Sequence, residues 1–388
     1  MGGTLLLWAA AAGALLLWGA AGGLAAQSAD EQAAGHERER TEARMAGNMV
    51  APSAAMAEKL PALDSTHLAI EDHPERRELV LSFGPIDLPA HTSHHALRQL
   101  PIQTGRIPFN LTLRGYRVDA IDKDGRPVPQ AVIHHFNLLD PERRELFLPI
   151  MRRVLAASHE TKPQSLPGWL FGLPLVSGDR FLLLAMLHNP TDRTYEGVHV
   201  RLIVQYERRE RLPLYRFYPF HIDVMFPVGS KAFDLPPGKS SKSWEGSPAI
   251  AAGIIGLGGH LHKYATGLVL EDLTDGRTLY RIRPRLDADG EIDEVPVQFY
   301  SGKGLGALIY PSHTYRVTAT YYNPTGRPIP DGGMGSVAGV VIPLKEWPRA
   351  EFEDAIYAAD YRAVLTSLSM GAMGGMEALE EPHGGPEH

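Results

Sequence analysis

The segment GGHLHKY places two histidines, His260 and His262, two residues apart and directly after two glycines. The surrounding pattern predicts a β-strand, in which side chains two residues apart point to the same face at a spacing of about 7 Å. Neutral imidazoles that converge on one point are ligands for a metal ion. With 17 histidines among 388 residues, chance alone gives roughly one such pair. Further ligands are therefore needed to support a site.

Four more residues have side chains that can bind a metal ion, three histidines and one methionine. His134 and His135 are adjacent in VIHHFNLLD, His188 lies in MLHNPTD, and Met334 lies in DGGMGSVAG. Adjacent residues of a regular strand face opposite sides, so His134 and His135 can bind one ion only where the strand bends or bulges. The alternative is that one of them faces the core and the other faces solvent.

Composition narrows the chemistry that these residues can perform. The chain has no cysteine, which excludes disulfides, thiolate metal sites and cysteine nucleophiles. A metal ion must then be held by histidine, carboxylate or methionine. The net charge of −7 predicts no nucleic-acid partner. The sequence contains no G-x-S-x-G elbow, P-loop, H-E-x-x-H motif or dinucleotide fingerprint.

The elements that must position these residues are predicted to be β-strands. From Glu78 onward, short alternating apolar runs are separated by turn signals such as DKDGRP, and Gly (39) and Pro (31) are both frequent. Two blocks of the sequence show this pattern of alternating apolar runs and turns. LLLAMLHNPTDR and VTATYYNPTGR each lead a strand into an Asn-Pro-Thr turn. We therefore predict an all-β protein with two tandem antiparallel β-sandwich, jelly-roll-like domains.

The predicted organisation has five segments: 1–27, a signal peptide or N-terminal anchor; 28–75, a low-complexity linker; 76–215 and 216–345, the two β-sandwich domains; and 346–388, a C-terminal helix and tail. The leader has small residues near Ala25 and Ala26 but no Lys or Arg before Arg38. Cleavage after export and retention as an anchor are both open. We expect a periplasmic or extracellular protein, with membrane anchoring only through residues 5–26.

The C-terminal segment is amphipathic at helical spacing. Phe352, Ile356, Tyr357, Tyr361 and Leu365 predict one helix. Behind it, three methionines stand three residues apart, at positions 370, 373 and 376. Thioethers bind Cu(I), but a Gly-rich flexible tail is the simpler interpretation of this segment.

The order His-His, His, His-x-His, Met on two β domains resembles the copper type II ascorbate-dependent monooxygenases. This is the family of peptidylglycine α-hydroxylating monooxygenase and dopamine β-monooxygenase. The stretches HLHKYATGLVLEDLTDGR, LHNPTD and YYNPTGRPIPDGGMG are similar to the family's ligand-bearing segments. The resemblance covers residues 78–343.

This resemblance implies two copper ions with different roles. His134, His135 and His188 would form an all-histidine site that stores and delivers an electron. His260, His262 and Met334 would form the catalytic site, where O₂ binds and a substrate C–H bond is attacked. Ascorbate or another external reductant would supply electrons, across an open, water-filled cleft. A thioether favours Cu(I) and is not an ordinary zinc ligand.

Several positions depart from the family's pattern, among them Ala265, where the family usually has Gly three residues after its His-x-His. In the peptide-amidating enzymes an Arg precedes the His-x-His by two residues, where this chain has Gly258. The polar residues that follow the ligand methionine there correspond to Ser336 and Ala338. No evident group would pair with a substrate carboxylate, so we do not expect a peptide with a C-terminal glycine as substrate. The animal enzymes also carry disulfides that this chain lacks.

The sequence thus predicts a copper-dependent monooxygenase that acts on an unknown organic substrate. Two alternatives are a non-catalytic exported copper-binding protein and a double β-sandwich binding or glycoamidase-like module without copper. The histidines of LPAHTSHHALRQ (91, 94 and 95) are interpreted as part of a polar loop. Tyr264 and Tyr322 could line the cleft, although most such aromatics belong to a core.

Overall fold

A computed structural model describes most of the chain after the predicted linker. The described residues are 66–93, 97, 102–158, 161, 163–165, 171–208, 215–225, 228, 231–287, 291–300 and 306–373. The predicted leader at 1–27 and Met376 lie outside them. These residues form two compact units, which we describe separately.

The first unit comprises residues within 59–143, 151–216 and 350–388. Its strands are β1 (Thr66–His67), β2 (Ala69–His73), β3 (Glu78–Leu88), β4 (Gln103–Arg106), β5 (Leu111–Ile121), β6 (Pro127–Val128), β7 (Ile133–Arg144), β8 (Met151–Ala157), β9 (Gln164–Ser165), β10 (Phe171–Leu175), β11 (Arg180–Leu187), β12 (Tyr195–Arg208) and β13 (Tyr215–Arg216). They form a sheet of order β1-β4-β11-β7-β8 and a larger sheet of order β13-β10-β5-β12-β3-β2.

The second unit comprises residues within 144–150 and 217–349. Its strands are β14 (Tyr218–Asp223), β15 (Phe233–Leu235), β16 (Gly238–Gly246), β17 (Ala252–Leu261), β18 (Ala265–Asp272), β19 (Arg277–Ile282), β20 (Arg285–Leu286), β21 (Ile292–Glu294), β22 (Gln298–Phe299), β23 (Ala307–Ile309), β24 (Tyr315–Asn323), β25 (Ile329–Gly333) and β26 (Gly335–Pro343). The two main sheets are β14-β26-β17-β22 and β16-β24-β18-β19.

Alternation along the strands explains why these segments form sandwiches. In β24 the side chains of Tyr315, Val317, Ala319 and Tyr321 are buried, whereas the residues between them are more exposed. Such a period of two buries one face of a sheet against a second sheet. The predicted all-β fold is confirmed.

A matching turn follows one strand in each unit. The amide of Asn189, after β11, donates to the carbonyl of Arg193 at 2.7 Å, and its oxygen accepts from the hydroxyl of Thr191 at 2.8 Å. Asn323, at the end of β24, makes the same bonds four and two residues ahead, at 2.8 and 2.7 Å. The repeated Asn-Pro-Thr sequence therefore encodes one local structure, used twice.

The C-terminal helix belongs to the first unit. Helix α1 (Ala355–Met373) begins after Asp354, whose carboxylate accepts from the backbone N–H groups of Ile356 and Tyr357 at 2.8 and 3.0 Å. Tyr357 and Tyr361 pack in a cluster whose other buried members are Ile102, Leu139, Met151 and Leu182. Phe352 precedes the helix, and Met370 and Met373 lie within it rather than in a tail.

Two more segments differ from the predicted organisation. Strands β1 and β2 lie inside the stretch interpreted as a linker, because β2 pairs with β3 from Ala69 to His73. The compact units are also not consecutive, since 144–150 groups with the second unit and 350–373 with the first. Among the described residues, no helix is both long and apolar enough to cross a membrane.

Candidate metal centres

His134, His135 and His188, the first ligand set, come together on neighbouring strands of the first unit. His134 and His135 lie on β7, and His188 directly follows β11, which pairs with β7. The imidazole centroids of His134 and His135 are 4.3 Å apart, and those of His134 and His188 are 5.3 Å apart. All three residues are partly buried.

A β-bulge explains how two adjacent histidines share one side of a strand. Met186 pairs with His135, but the next residue, Leu187, pairs with Ile133. His134 is therefore the extra residue of the bulge, which rotates its side chain away from the regular alternation. Of the two arrangements open from the sequence, the structure has the bulge.

The backbone before β7 orients the third imidazole. His188 Nε2 lies 2.6 Å from the carbonyl oxygen of Ala131, in the 3₁₀ turn Gln130–Val132. A carbonyl only accepts a hydrogen bond, so Nε2 carries the proton. Nδ1 then has the lone pair that a metal ion requires.

The second ligand set, His260, His262 and Met334, lies where β17 and β26 meet in the second unit. The ring centroids of His260 and His262 are 5.2 Å apart, with planes at 87°. Cross-strand pairing joins His260 to Ser336 and Leu261 to Gly335, and the N–H of His262 donates to the carbonyl of Met334 at 3.3 Å. Opposed residues of an antiparallel pair project to one face. That face therefore carries all three ligand residues.

This ligand face is the outer face of its sheet. The alternate residues Leu257 and Leu261 are buried, and a Cβ added to Gly259 would lie 2.4 Å from Leu268 Cδ2 of the opposite sheet. Gly259 thus permits close approach of the two sheets. The glycine directly before His260 therefore serves the sandwich core, and the His260 side chain points the other way.

Tyr321 connects the two ligand-bearing segments by hydrogen bonds, a role that no sequence pattern indicated directly. Its hydroxyl accepts from the N–H of His262 at 3.3 Å and from the N–H of Met334 at 3.2 Å, and donates to the carbonyl of Met334. Burial raises the pKa of Tyr321 to about 12, so the phenol stays protonated near neutral pH. The alternation of β24 could have indicated that Tyr321, not Tyr322, points inward.

A buried acid–histidine group has two members on β14 of the same sheet, His221 and Asp223, and a third, Glu145, outside the strands. His221 Nδ1 is 3.1 Å from Glu145 Oε1, and His221 Nε2 is 3.5 Å from Asp223 Oδ2. All three residues are buried. Asp223 pairs with Ser336, which pairs with His260, so Asp223 projects to the ligand face two strands away. The spacing of histidines along the sequence does not identify His221 as a candidate ligand.

Both ligand sets fit copper by donor chemistry. Imidazoles suit copper in either oxidation state, and a thioether favours Cu(I). His134, His135 and His260 lie on strands, and the other three residues lie directly beside strand ends. The metal itself and the role of each ligand stay predictions.

A third group contains His313 and two carboxylates. Asp272, Asp275 and His313 bring potential ligand atoms within 4.8 Å of one another. However, Arg277 already lies 3.1 Å from Asp272 Oδ2, and Asp272 Oδ1 accepts from the backbone N–H groups of Thr274 and Asp275, both at 3.2 Å. The arrangement is that of a charge-balanced hairpin turn.

The other histidines and tyrosines considered as candidates make their contacts outside the two ligand sets. His91 contacts Asp192 at 2.9 Å on the surface, and His199 contacts the carbonyl of Gly197 at 3.1 Å. Tyr264 has a positive φ of 67° and lies under the Lys263 ammonium. Tyr322 is half exposed. Histidines 94 and 95 lie outside the described residues.

Comparison with known proteins gives no family assignment. No family model and no curated protein matches the chain. Among solved structures, the STIV MCP is 11% identical with a TM-score of 0.35, over 68% of this chain and 96% of that one. PNGF-II is 9% identical with a TM-score of 0.27, over 72% and 63%. The infectious bursal disease virus VP2 subviral particle is 12% identical with a TM-score of 0.22, over 74% and 73%. Similarities this low carry no argument about function.

Proposed function

We propose that the protein is a copper-dependent monooxygenase that hydroxylates a C–H bond of an organic substrate. The observation that carries the proposal is the pairing of His262 with Met334 on the sheet face that also bears His260. Two imidazoles and a thioether form a donor set that suits copper and its Cu(I) state, not zinc, calcium or magnesium. The bulged histidine pair of the first unit adds an all-imidazole set.

The reaction would follow R–H + O₂ + 2 e⁻ + 2 H⁺ → R–OH + H₂O. An external two-electron reductant such as ascorbate would be oxidised. Bound copper would supply one-electron redox chemistry between Cu(I) and Cu(II). His134, His135 and His188 would hold one ion for electron storage. His260, His262 and Met334 would hold the other, next to the substrate, while Tyr321 keeps the last two in register.

We also propose that the protein acts outside the cytoplasm. The apolar residues 5–26 and the small residues that follow support export. A chain without cysteine forms no disulfides in an oxidising compartment. N-terminal sequencing of the protein recovered from its native compartment would distinguish a cleaved leader from a retained anchor.

Copper stoichiometry of the purified chain, loaded with Cu(II) and desalted, tests the function. We expect two ions per chain, one in His260→Ala/His262→Ala and one in His134→Ala/His135→Ala. His262→Ala alone should abolish substrate-dependent O₂ consumption while the first ligand set keeps its copper. Retained turnover in that variant, or absence of bound copper in the parent, would contradict the proposal.

Measurement of O₂ consumption distinguishes the enzyme from the alternative, a copper-binding protein without catalytic activity. A non-catalytic copper-binding protein would bind copper but, once reduced, would consume O₂ only in stoichiometric amount. Continuous O₂ consumption with excess ascorbate and substrate, accompanied by one hydroxylated product per O₂, distinguishes an enzyme from a copper carrier.

A further inference from the structure

An apolar surface continues from the second ligand set along the same sheet face. We call it the apolar strip. Its members all lie within two register rows of His260 and have uncharged, apolar side chains or none. They are Gly256, Gly258, Val297, Phe299, Ala338 and Val340.

Strand register places the strip on the ligand face. Gly258 stands two residues before His260 and pairs with Ala338, and Gly256 pairs with both Val340 and Phe299. A Cβ at Gly256 would lie 3.2 Å from the Phe299 ring, and one at Gly258 would lie 3.4 Å from Val297 Cγ2. Side chains two residues apart share a face, so the strip and His260 face the same way.

The two large side chains of the strip remain open to solvent. Val297 is 58% exposed and Phe299 is 52% exposed. Adjacent exposed apolar groups beside a ligand site mark a binding surface more often than isolated ones do. The two glycines, which carry no side chain, stand between Val297 and Phe299 on one side and Ala338 and Val340 on the other.

The ionisable groups of this face lie on β14, at the sheet edge opposite β22, where His221 pairs with Ala338 and Asp223 pairs with Ser336. Asp223 and His221 are buried at the β14 edge and engage each other at 3.5 Å. Ser336, between Asp223 and His260, is buried as well. None of the six strip residues can pair with a substrate carboxylate or ammonium group. A charged substrate lying here would lose hydration without compensation.

We propose that the substrate is an uncharged, apolar molecule with an aromatic or branched alkyl body. This inference rests on the proposed function. The body lies over the apolar strip, about 7–13 Å from His260 as measured by two to four strand residues. The C–H bond that reacts extends toward His260, His262 and Met334. A substrate body of one or two rings would span the distance from the strip to His260.

Binding of N-phenyl-1-naphthylamine, a neutral fluorescent aromatic, tests the inference without turnover. We expect the full chain to bind the probe, and Val297→Ser/Phe299→Ser to weaken binding at least fivefold. Leu286→Ser is the matched control, because Leu286 is 42% exposed on β20 of the same unit. Its binding should be unchanged. Absence of probe binding, or equal binding by the double variant, would overturn the inference.

Displacement of the probe by three similar compounds tests the charge preference. We expect 4-ethyltoluene to displace it at a concentration at least tenfold lower than 4-ethylbenzoate or 4-ethylbenzylammonium. The variant Gly258→Arg adds a cation at a position where a Cβ has room. In it, 4-ethylbenzoate should displace the probe at a lower concentration than in the parent protein, and 4-ethylbenzylammonium at a higher one. Equal or stronger displacement by either ion in the parent protein would overturn the inference.

Copper loading separates this inference from the proposed function. Cu(II) should quench the bound probe in the parent protein but not in His260→Ala/His262→Ala, which places the strip beside the second ligand set. If the chain retains no copper, the monooxygenase proposal falls, whereas probe binding that depends on Val297 and Phe299 would still support an apolar binding site. If copper binds normally but does not quench the probe, the inference fails and the function stands.

Discussion

Tyr321 connects the backbone segments that carry the second ligand set. One buried hydroxyl joins the main chains of His262 and Met334 through three hydrogen bonds. The ligands of this set come from strands more than seventy positions apart in sequence. A positioning group in the opposite sheet therefore contributes to holding them at a fixed separation.

Replacing Tyr321 with phenylalanine removes the hydroxyl and keeps the ring. We expect Cu(I) affinity at the second set to fall by about tenfold, corresponding to one lost net hydrogen bond of ~1.4 kcal/mol. Cu(II) affinity should change less, because the methionine loses its position more than the histidines do. Competition titrations with Cu(I) and Cu(II) chelators measure both. Tyr322→Phe, on the outward side of the same strand, is the control.

Met334→Leu tests the thioether directly. Leucine has a similar volume and no sulfur, so Cu(I) binding should weaken more than Cu(II) binding, since thioethers prefer the reduced ion. The expected signature is an altered reduction potential, with two copper ions per chain still bound at saturating copper. Equal loss of both oxidation states would argue that Met334 is not a ligand.

At the scale of elements, the twin Asn-Pro-Thr turns position one end of each sandwich. The amide of Asn189 donates to the carbonyls of Leu88, Pro89 and Arg193 at 2.9, 3.0 and 2.7 Å. His188 immediately precedes this buried amide. The turn and the bulge of β7 together bring the three imidazoles of the first ligand set near each other.

Asn189→Ala should destabilise the first unit and weaken its copper site. Each buried carbonyl left without its donor costs about 1–3 kcal/mol. Chemical denaturation measures the stability, and copper stoichiometry measures the site. Asn323→Ala is the matched variant, because its turn is the same but belongs to the second unit. A first ligand set that loses copper equally in both variants would contradict a local role.

The β18–β19 hairpin should make the stability of the fold decrease at acidic pH. Burial alone raises the pKa of Asp272, but hydrogen bonds from His313, from the backbone N–H of Asp275 and from Arg277 outweigh it and hold the pKa below its ordinary value. A depressed carboxyl pKa stabilises the fold at higher pH, and this contribution disappears as the pH falls below the ordinary aspartate pKa of 3.8.

Asp272→Asn should therefore lower stability at pH 7 and reduce the loss of stability on acidification. Urea unfolding at a series of pH values measures both effects. Asp234→Asn, an exposed aspartate whose carboxylate accepts from the N–H of Asp331, serves as the comparison. An identical pH profile for Asp272→Asn and the parent protein would show that the hairpin charges do not contribute.

At the scale of the whole molecule, the chain order differs from the order of its compact units. Helix α1 follows the second sandwich in sequence but packs in the core of the first unit. Tyr357 is fully buried there, and its hydroxyl donates to the carbonyl of Pro141 at 2.5 Å. The C-terminal segment is therefore part of the unit that carries the first ligand set.

Tyr357→Ala should destabilise the first unit by about 3–5 kcal/mol, as expected for a large aromatic removed from a core. Tyr357→Phe keeps the ring and should cost about 1 kcal/mol for the lost hydrogen bond. Thermal unfolding of the metal-free protein measures both. Phe352→Ala, at a more exposed position before the helix, should have the smaller effect of the two alanine variants.

The sequence by itself determined the fold class, because alternation of apolar residues and frequent turn signals depend only on local order. It also identified six candidate metal ligands, since their spacing and side-chain chemistry can be read along the chain. Whether adjacent histidines share a side was decided only by the bulge opposite Leu187. The opposition of His262 and Met334 depends on strand register, and the contacts of Tyr321 and Tyr357 depend on packing. These relations join residues far apart in sequence, so local pattern carries almost no information about them.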